Sequence, residues 1–146
     1  MKCITVRQPW ATLLVHGATQ YLVRDWRTFH RGPLAIQAGS TMTRSEVELC
    51  CDPDMRKLLG QFGYDYAMEL PRQVLLGAVT MADCLYIREE TLDFIDPEDP
   101  AIIYGQIQPG TWVWICTAHQ ALRQPIPISG KLGIFNIPDS VMSGRS

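Results

Sequence analysis

Arginine and tryptophan lie close together near the start of the chain, a combination of residue types that can bind nucleotides. The side chains with this chemistry are Arg7, Gln8, Trp10, Arg24, Trp26, Arg27 and Arg31. A guanidinium presents a planar fork of donors that matches a phosphate, and it also stacks on rings. An indole offers a face on which an unstacked base can lie. Arg7 and Gln8 also precede a predicted helix, whose N-terminal amides favour anions. We therefore predict that this segment binds an anionic ligand.

The charge distribution favours a confined basic surface on an acidic protein. The 146-residue chain has a net charge of −2. Its first 44 residues hold six basic residues and one acidic residue, whereas the remainder holds seven basic and fourteen acidic residues. Such asymmetry suits one anionic ligand at a local site. The same asymmetry argues against binding along duplex DNA, because duplex binding requires many phosphate contacts.

The same residues also have a structural interpretation. Trp10 falls on the apolar face of a short predicted helix, where a tryptophan usually belongs to the core. The arginines have possible ion-pair partners in Asp25 and in the acidic second part of the chain. For Trp10 we favour the core, and for the arginines binding and structural pairing remain equally open.

Three polar residues are candidates for catalysis, namely His30, Asp83 and Lys131. A positioned histidine, carboxylate or ammonium can move a proton or stabilise charge on a phosphate. For Asp83 we favour an arginine partner, because an isolated buried carboxylate is costly. No metal or cofactor is predicted, because neither the histidines nor the five irregularly spaced cysteines have metal-ligand spacing. The cysteines are predicted to be reduced and structural, although adjacent Cys50 and Cys51 have no evident role.

The apolar patterns predict a single domain over residues 1–146, a partly closed β-barrel with helices. Strands are predicted at residues 3–6, 19–23, 34–38, 74–87, 111–116 and 130–135, with an extended segment at 124–128. Gly77 is expected to allow a bulge or a close backbone approach. Helices are predicted at 9–17 and from residue 44 to about 62, with Pro53 interrupting the second. Residues 88–110 predict an acidic surface segment with one short helix, and the tail after Pro138 is expected to fray.

The ends and apolar segments of the chain predict an intracellular protein. No apolar segment approaches the roughly 20 residues that span a bilayer. The first residues lead directly into a predicted strand, without the features of a signal peptide. We therefore expect a soluble, cytoplasmic protein without a membrane partner.

Several motifs, in order along the chain, resemble those of the ASCH domain family. They are Arg7-Gln8-Pro9-Trp10-Ala11, Gly17, Arg24-x-Trp26-Arg27-Thr28, Arg31-Gly32-Pro33-Leu34, Gly77-x-Val79 with Asp83, Gly110-x-Trp112-x-Trp114 and the segment 125–135. The resemblance implies an α+β fold: a small PUA-like mixed β-barrel of about five to six strands with two or more flanking helices. It also implies a cleft beside the first helix that binds RNA, modified nucleosides or related ligands.

One enzymatic activity of the family is disfavoured by this sequence. Small ASCH amidohydrolases, which deacylate modified cytidine, use a lysine, a threonine and a glutamate. The resemblance aligns Thr19 with the lysine position, and Leu22 and Ala78 with positions that hold an acid. These side chains cannot act as a base or shuttle a proton. The pattern of the amidohydrolases is therefore not matched.

We therefore predict an RNA- or nucleotide-binding domain that recognises single-stranded nucleic acid or a modified nucleoside beside the first helix. The residues predicted to bind are Arg7, Gln8, Trp10, Arg24, Trp26, Arg27, Arg31 and Lys131. One alternative is an enzyme, either a ribonuclease or a hydrolase of a modified nucleoside. The other is a protein-interaction domain that uses the acidic segment 89–99.

Overall fold

The computed structural model describes residues 1–142, which form a six-stranded mixed sheet with four α-helices. The strands are β1 (Lys2–Val6), β2 (Tyr21–Arg24), β3 (Gly32–Ala38), β4 (Val74–Tyr86), β5 (Trp112–Pro127) and β6 (Ile134–Asn136). The helices are α1 (Trp10–Val15), α2 (Arg44–Leu49), α3 (Pro53–Gly60) and α4 (Pro100–Ile103). The predicted α+β class, with five to six strands and flanking helices, is confirmed.

The sheet is strongly curved but not closed. Its strand order is β2-β5-β4-β3-β1-β6, with β1 and β3 parallel and the other neighbours antiparallel. Three strands therefore separate β2 from β1. Even so, Nη2 of Arg24 in β2 donates a hydrogen bond of 2.7 Å to the carbonyl oxygen of Thr5 in β1. The sheet must curl until these regions meet, which leaves a seam between β2 and β1.

The curvature originates in the long β4–β5 pair. The register between these strands shifts three times, between residues 75 and 77, 78 and 80, and 81 and 83 of β4. Such irregularities bend a strand and increase its twist. At Gly77 the strands approach so closely that a Cβ atom would collide with the carbonyl oxygen of Gln120. The close backbone approach predicted for Gly77 is confirmed.

Helix α1 fills the concave side of the curved sheet. All six of its residues are buried, and it contacts β2, β3, β4 and β5. Gln8 supports its first turn, because Oε1 of Gln8 accepts a hydrogen bond from the backbone N–H of Thr12. Gly17 follows the helix with a φ of +75°, a conformation that favours glycine. The predicted helix is confirmed, although it begins at Trp10 and Pro9 is its N-cap.

The second predicted helical region forms two helices, as expected from Pro53. Thr43 caps α2 through a capping box with Glu46, and Asp52 caps α3 by accepting from the backbone N–H of Met55. Pro53 occupies the first turn of α3, where its missing N–H costs nothing. The helices therefore begin where local capping chemistry places them.

Two predictions for the second part of the chain were incomplete. Segment 88–110 contains the expected short helix, α4, but it is not only a polar surface, because Asp99 is buried. Residues 112–127 form one continuous strand, β5, instead of a strand and a separate extended segment. Pairing with the long strand β4 outweighs the tendency of the prolines at 125 and 127 to interrupt a strand.

The chain after Pro138 is more ordered than predicted through residue 142. Asp139–Val141 forms a 3₁₀ turn, and Asp139 pairs with the N-terminal amine at 2.5 Å. The prediction of a frayed tail is wrong for residues 139–142, and its remainder lies outside the described residues. None of the helices formed by residues 1–142 is long and apolar enough to cross a membrane.

All five cysteines are free thiols. Burial raises the pKa of Cys3 and of Cys116 to about 12, and that of Cys50 to about 11. These three thiols behave as small apolar side chains of the core. Cys51 is exposed, and no contact in the structure gives it a particular role.

Candidate functional site

A cleft of about 560 Å³ lies at the seam between β1 and β2. Its walls come from the end of β1, the end of β2 with the following residues, and the loop between β5 and β6. The polar and aromatic residues that line it include Arg7, Arg24, Trp26, Gln106 and Lys131. Asp25 and Glu46 also line it. Four of the residues predicted to bind a ligand are thus brought together by folding.

Arg24 is the most constrained cation of the cleft. Its Nη2 donates to the carbonyl oxygen of Thr5 at 2.7 Å, and its Nη1 donates to the carbonyl oxygen of Val23 at 3.1 Å. The pKa of Arg24 is lowered, first because the guanidinium is desolvated and then because Arg7 is nearby, while Asp25 opposes the shift. Arg24 takes part in none of the ion pairs that residues 1–142 form. The cleft therefore holds a desolvated positive charge without a bonded carboxylate.

The inner end of the cleft presents hydrogen-bond donors. A narrow extension of about 30 Å³ is lined by Arg7, Trp10, Arg24 and Gln106. The indole N–H of Trp10 is buried and has no hydrogen-bond partner among residues 1–142. Arginine and tryptophan side chains donate hydrogen bonds and accept none. This end is suited to an oxygen that carries negative charge or free lone pairs.

Trp26 forms the aromatic part of the cleft. Its ring packs edge-to-face against Trp114, with centroids 4.8 Å apart, and its carbonyl oxygen accepts a hydrogen bond from the Trp114 indole at 3.3 Å. Trp114 is itself fully buried. The Trp26 ring is therefore held by the core and remains partly exposed in the cleft.

The β5–β6 loop brings Lys131 to the cleft. A Cβ atom on the preceding Gly130 would lie 2.6 Å from Oγ1 of Thr5 and 2.7 Å from Oε1 of Gln37. Only a glycine allows the loop to pack this closely against β1 and β3. Lys131 and exposed Leu132 follow at the rim of the cleft.

Gln8 does not belong to the cleft, contrary to the prediction. It is fully buried, and both ends of its amide are used within the protein. Its Nε2 donates to the carbonyl oxygen of Pro71 at 2.8 Å, and its Oε1 accepts from the backbone of Thr12. Trp10 is in the core, as favoured, and it also lines the inner extension. Gln8 is a positioning residue for α1.

Arg31 has a structural partner instead of a place in the cleft. Its Nη2 lies 3.6 Å from Oδ1 of Asp83, and its Nη1 donates to the carbonyl oxygens of Thr28 and His30. Asp83 thus has the arginine partner that was favoured for it. Structural pairing is thus confirmed for Arg31, whereas Arg7, Arg24 and Arg27 form no ion pair among residues 1–142, and a binding role for these three stays a prediction.

The three candidate catalytic residues are not assembled into one group. His30 lies beside Arg31, and its Nε2 is 2.9 Å from the carbonyl oxygen of Pro33. Asp83 lies in β4 and pairs with Arg31. Lys131 lines the cleft, but neither His30 nor Asp83 does. The described contacts give no acid–base pair at the cleft.

The positions aligned with the amidohydrolase residues are occupied by structural side chains. Leu22 and Ala78 are buried, Leu22 within the main core and Ala78 within β4. The hydroxyl of Thr19 donates to Oδ1 of Asp99 at 2.6 Å. Asp99 also accepts from the backbone N–H groups of Gln20 and Ala101. The carboxylate of Asp99 therefore ties α4 to the start of β2.

The fold of this chain is similar to that of solved ASCH-protein structures. No family model matches the chain. A structure of a mutant ASCH protein from Zymomonas mobilis superposes with a TM-score of 0.56 at 12% identity, covering 99% of this chain and 98% of that one. An ASCH structure from the same organism gives 0.52 at 13% identity, covering 95% and 88%. The chain has the ASCH-domain fold. The resemblance drawn from the sequence motifs is thereby confirmed.

Two larger proteins are related to this ASCH domain in sequence. Human "Activating signal cointegrator 1" is 30% identical over 142 residues, which is 97% of the chain, and its mouse counterpart is 29% identical over the same length. The chain spans 23% of the length of each relative. The relationship therefore concerns one part of those proteins.

The ASCH motif at residues 24–28 contributes to two surfaces. Arg24 and Trp26 line the cleft, whereas Arg27 stacks on exposed rings beside it. Arg27 was among the residues predicted to bind, whereas Gln106 and Phe29 were not, and for Trp112 a place in the barrel wall was favoured over a stacking role. Gln106 is brought to the cleft only by the fold of the acidic segment, so no local sequence signal could have identified it.

Proposed function

We propose that this ASCH domain binds single-stranded RNA, or a modified nucleotide of such a strand, in the cleft at the β1–β2 seam. The ASCH relationship supports a nucleic-acid-related role in general terms. The specific proposal depends on the residues of the cleft. A phosphate lies against Arg7, Arg24 and Lys131, and the attached base lies against Trp26.

The unpaired charge of Arg24 is the observation that carries this proposal. A desolvated guanidinium is costly unless an anion compensates it. Within residues 1–142, Arg24 is hydrogen-bonded only to backbone carbonyl oxygens, and Arg7 adds a second positive charge. Asp25 offsets this charge only in part and forms no ion pair with Arg24 among residues 1–142, so a bound phosphate adds an anion that accepts charge-assisted hydrogen bonds from the remaining donors.

The size and charge of the cleft favour a single strand over a duplex. Its volume of about 560 Å³ falls within the roughly 300–1,000 Å³ of ordinary ligand pockets. A sequence net charge of −2 and three cleft cations provide few phosphate contacts, whereas duplex binding depends on many. An unstacked base, in contrast, can use the face of Trp26.

The two alternative functions have less support from the described contacts. A nuclease or hydrolase needs a positioned acid or base near the substrate, and the predicted candidates His30 and Asp83 lie outside the cleft. Of the two carboxylates that line the cleft, Asp25 is exposed and Glu46 already accepts a hydrogen bond in the capping box of α2. A protein-interaction role for segment 89–99 could use its exposed acids, since only Asp99 of the segment's six acids is buried and hydrogen-bonded, but no cleft or groove that this structure describes collects them. Nucleic-acid binding, in contrast, uses the cleft cations that form no ion pair among residues 1–142 and the partly exposed ring of Trp26.

The test is a salt titration of binding to labelled single-stranded RNA and DNA 12-mers, measured by fluorescence anisotropy. Arg7→Ala and Lys131→Ala each remove one exposed cation, so affinity should fall and the slope of log K against log[salt] should decrease by about 0.7 each. Arg24→Ala should weaken binding further, and a thermal melt separates that loss from unfolding. Arg44→Ala is the matched control, because Arg44 is exposed and pairs with Glu48 away from the cleft.

The proposal fails if binding is independent of salt, or if the Arg7→Ala/Lys131→Ala double variant binds as tightly as the Arg44→Ala control. A preference for the RNA strand over the DNA strand of the same sequence supports the RNA assignment. Equal affinity for both strands would replace it with general single-strand binding.

A further inference from the structure

Three aromatic rings and two arginines form a series of cation–π contacts and one tilted ring–ring contact beside the cleft. We call it the stacking surface, and its members in spatial order are Phe29, Arg27, Trp112, Tyr86 and Arg88. The guanidinium carbon of Arg27 lies 4.4 Å from the centroid of the Phe29 ring and 5.6 Å from that of Trp112. The Trp112 and Tyr86 centroids are 5.0 Å apart, and the guanidinium of Arg88 lies 5.8 Å from Tyr86.

The members of this surface are exposed far more than a structural role requires. Phe29 is 78% exposed and Tyr86 is 41% exposed, although both are large and carry aromatic rings. A phenylalanine at this exposure gains little from burial, since the hydrophobic gain scales with the area removed from water. The free ring faces are therefore available to another aromatic system.

The two arginines are not committed to ion pairs within the protein. Neither Arg27 nor Arg88 takes part in an ion pair among residues 1–142, although Glu89 and Glu90 follow Arg88 directly in the chain. A guanidinium over a ring face leaves its edge free to donate to a phosphate. The surface thus alternates groups that stack on bases with groups that bind phosphates.

The stacking surface is continuous with the cleft. Arg24, whose guanidinium lines the cleft, lies opposite Trp112 in the β2–β5 register, and Trp112 lies opposite Tyr86 in the β4–β5 register. The chain segment after β2 also contributes to both, with Trp26 in the cleft and Arg27 on the stacking surface. A strand that leaves the cleft across β2 meets these rings next.

We infer that the stacking surface binds successive unstacked bases of the same single strand whose phosphate occupies the cleft. The inference rests on the proposed function and extends it from one nucleotide to a path of several. Base–aromatic stacking tolerates every base, because each base has a π face. The stacking surface therefore increases the affinity for strands that are long enough to reach it, but it does not select a base sequence.

The test compares Phe29→Ala and Tyr86→Ala with matched controls. Phe94→Ala removes an equally exposed phenylalanine, 79% against 78%, from the acidic segment. Tyr66→Ala removes an exposed tyrosine that also lies near an arginine, since the Arg56 guanidinium is 5.6 Å from its ring. Each protein is titrated with a uridine 12-mer, with a 5′-phosphorylated uridine dinucleotide, and with a 12-mer of abasic sites.

The variants of the stacking surface should weaken binding of the uridine 12-mer by roughly 5- to 100-fold each, as loss of one base–ring stack does elsewhere. Their affinity for the dinucleotide, which fills only the cleft, should match that of the wild type. Their affinity for the abasic 12-mer should also be unchanged, because that strand carries phosphates but no bases. The two control variants should bind all three ligands as the wild type does.

The two proposals fail in different ways. If Phe29→Ala and Tyr86→Ala bind the uridine 12-mer within twofold of the wild type while Lys131→Ala weakens it, the stacking surface is refuted and the cleft stands. If the stacking variants lose affinity while Arg7→Ala and Lys131→Ala do not, the stacking surface is supported and the cleft is refuted. Equal losses for the uridine and abasic strands would also refute base stacking.

Discussion

Replacing Asp99 by alanine should destabilise this domain strongly, although Asp99 lies in the most acidic segment of the chain. Its carboxylate is buried and accepts hydrogen bonds from Oγ1 of Thr19 at 2.6 Å, from the backbone of Ala101 at 2.9 Å and from that of Gln20 at 3.0 Å. The Ala101 contact also caps α4. Asp99→Ala removes the acceptor of all three donors at once.

The loss of stability expected for Asp99→Ala depends on which of the three donors water can reach. Gln20 is exposed, so water can satisfy its N–H. The Thr19 hydroxyl and the Ala101 N–H are buried, and each unsatisfied buried donor costs about 1–3 kcal/mol. The expected loss in the free energy of unfolding is about 3 kcal/mol, a large part of the roughly 5–15 kcal/mol of a typical domain. The melting temperature should fall by roughly 10 °C.

The assay is urea unfolding followed by tryptophan fluorescence, with thermal melts in parallel. Asp93→Ala is the control, because Asp93 is an exposed acid of the same segment, and it should change the stability by less than about 0.5 kcal/mol. Asp99→Asn keeps one of the two oxygens and should lose about 1 kcal/mol, the value of one hydrogen bond. Equal stability of the Asp99→Ala and Asp93→Ala proteins would refute the structural role assigned to Asp99.

Two further outcomes are expected. Gly77→Ala should destabilise the domain by about 2 kcal/mol or more, because the added Cβ collides with a carbonyl oxygen of β5. Gly60→Ala places its Cβ in open space, so urea unfolding should show no comparable loss. The pKa of Asp52 is lowered by a hydrogen bond from the Tyr104 hydroxyl and by the Met55 N–H. Ionised Asp52 therefore stabilises the folded state at pH values above the ordinary carboxyl pKa. This stabilisation is lost as the pH falls through the lowered pKa of Asp52. Tyr104→Phe should flatten the dependence of stability on pH below about 4, measured as melting temperature against pH; an unchanged profile would contradict this assignment.

Short-range chemistry made much of the fold predictable. Apolar and β-branched segments marked the strands, and glycine and proline marked the ends of α1 and the start of α3. Gly77 was correctly expected to lie at a close backbone approach. These features depend on a residue's own conformational preferences, which do not change when distant parts of the chain meet.

The prediction of the site was less complete, because the same residue type can bind a ligand or pair internally. Nothing local distinguishes Arg24, which has no ion-pair partner among residues 1–142, from Arg31, which pairs with Asp83. Gln8 was placed in the site, but the fold surrounds its amide with Pro71 and Thr12. Each of the three residues has one partner that is distant in sequence, namely Thr5 for Arg24, Asp83 for Arg31 and Pro71 for Gln8, and only folding determines these partners.

The sequence by itself was enough to recognise the ASCH motifs and to predict the α+β class. It also showed that arginine and tryptophan are concentrated in the first 44 residues. The tertiary structure alone decided which of these side chains share a cleft. The physical reason is the curvature of the sheet, because the β4–β5 pair bends and brings the end of β2 to β1 across three intervening strands. That long-range contact desolvates Arg24 and leaves its charge facing Lys131 and Trp26 across one cleft.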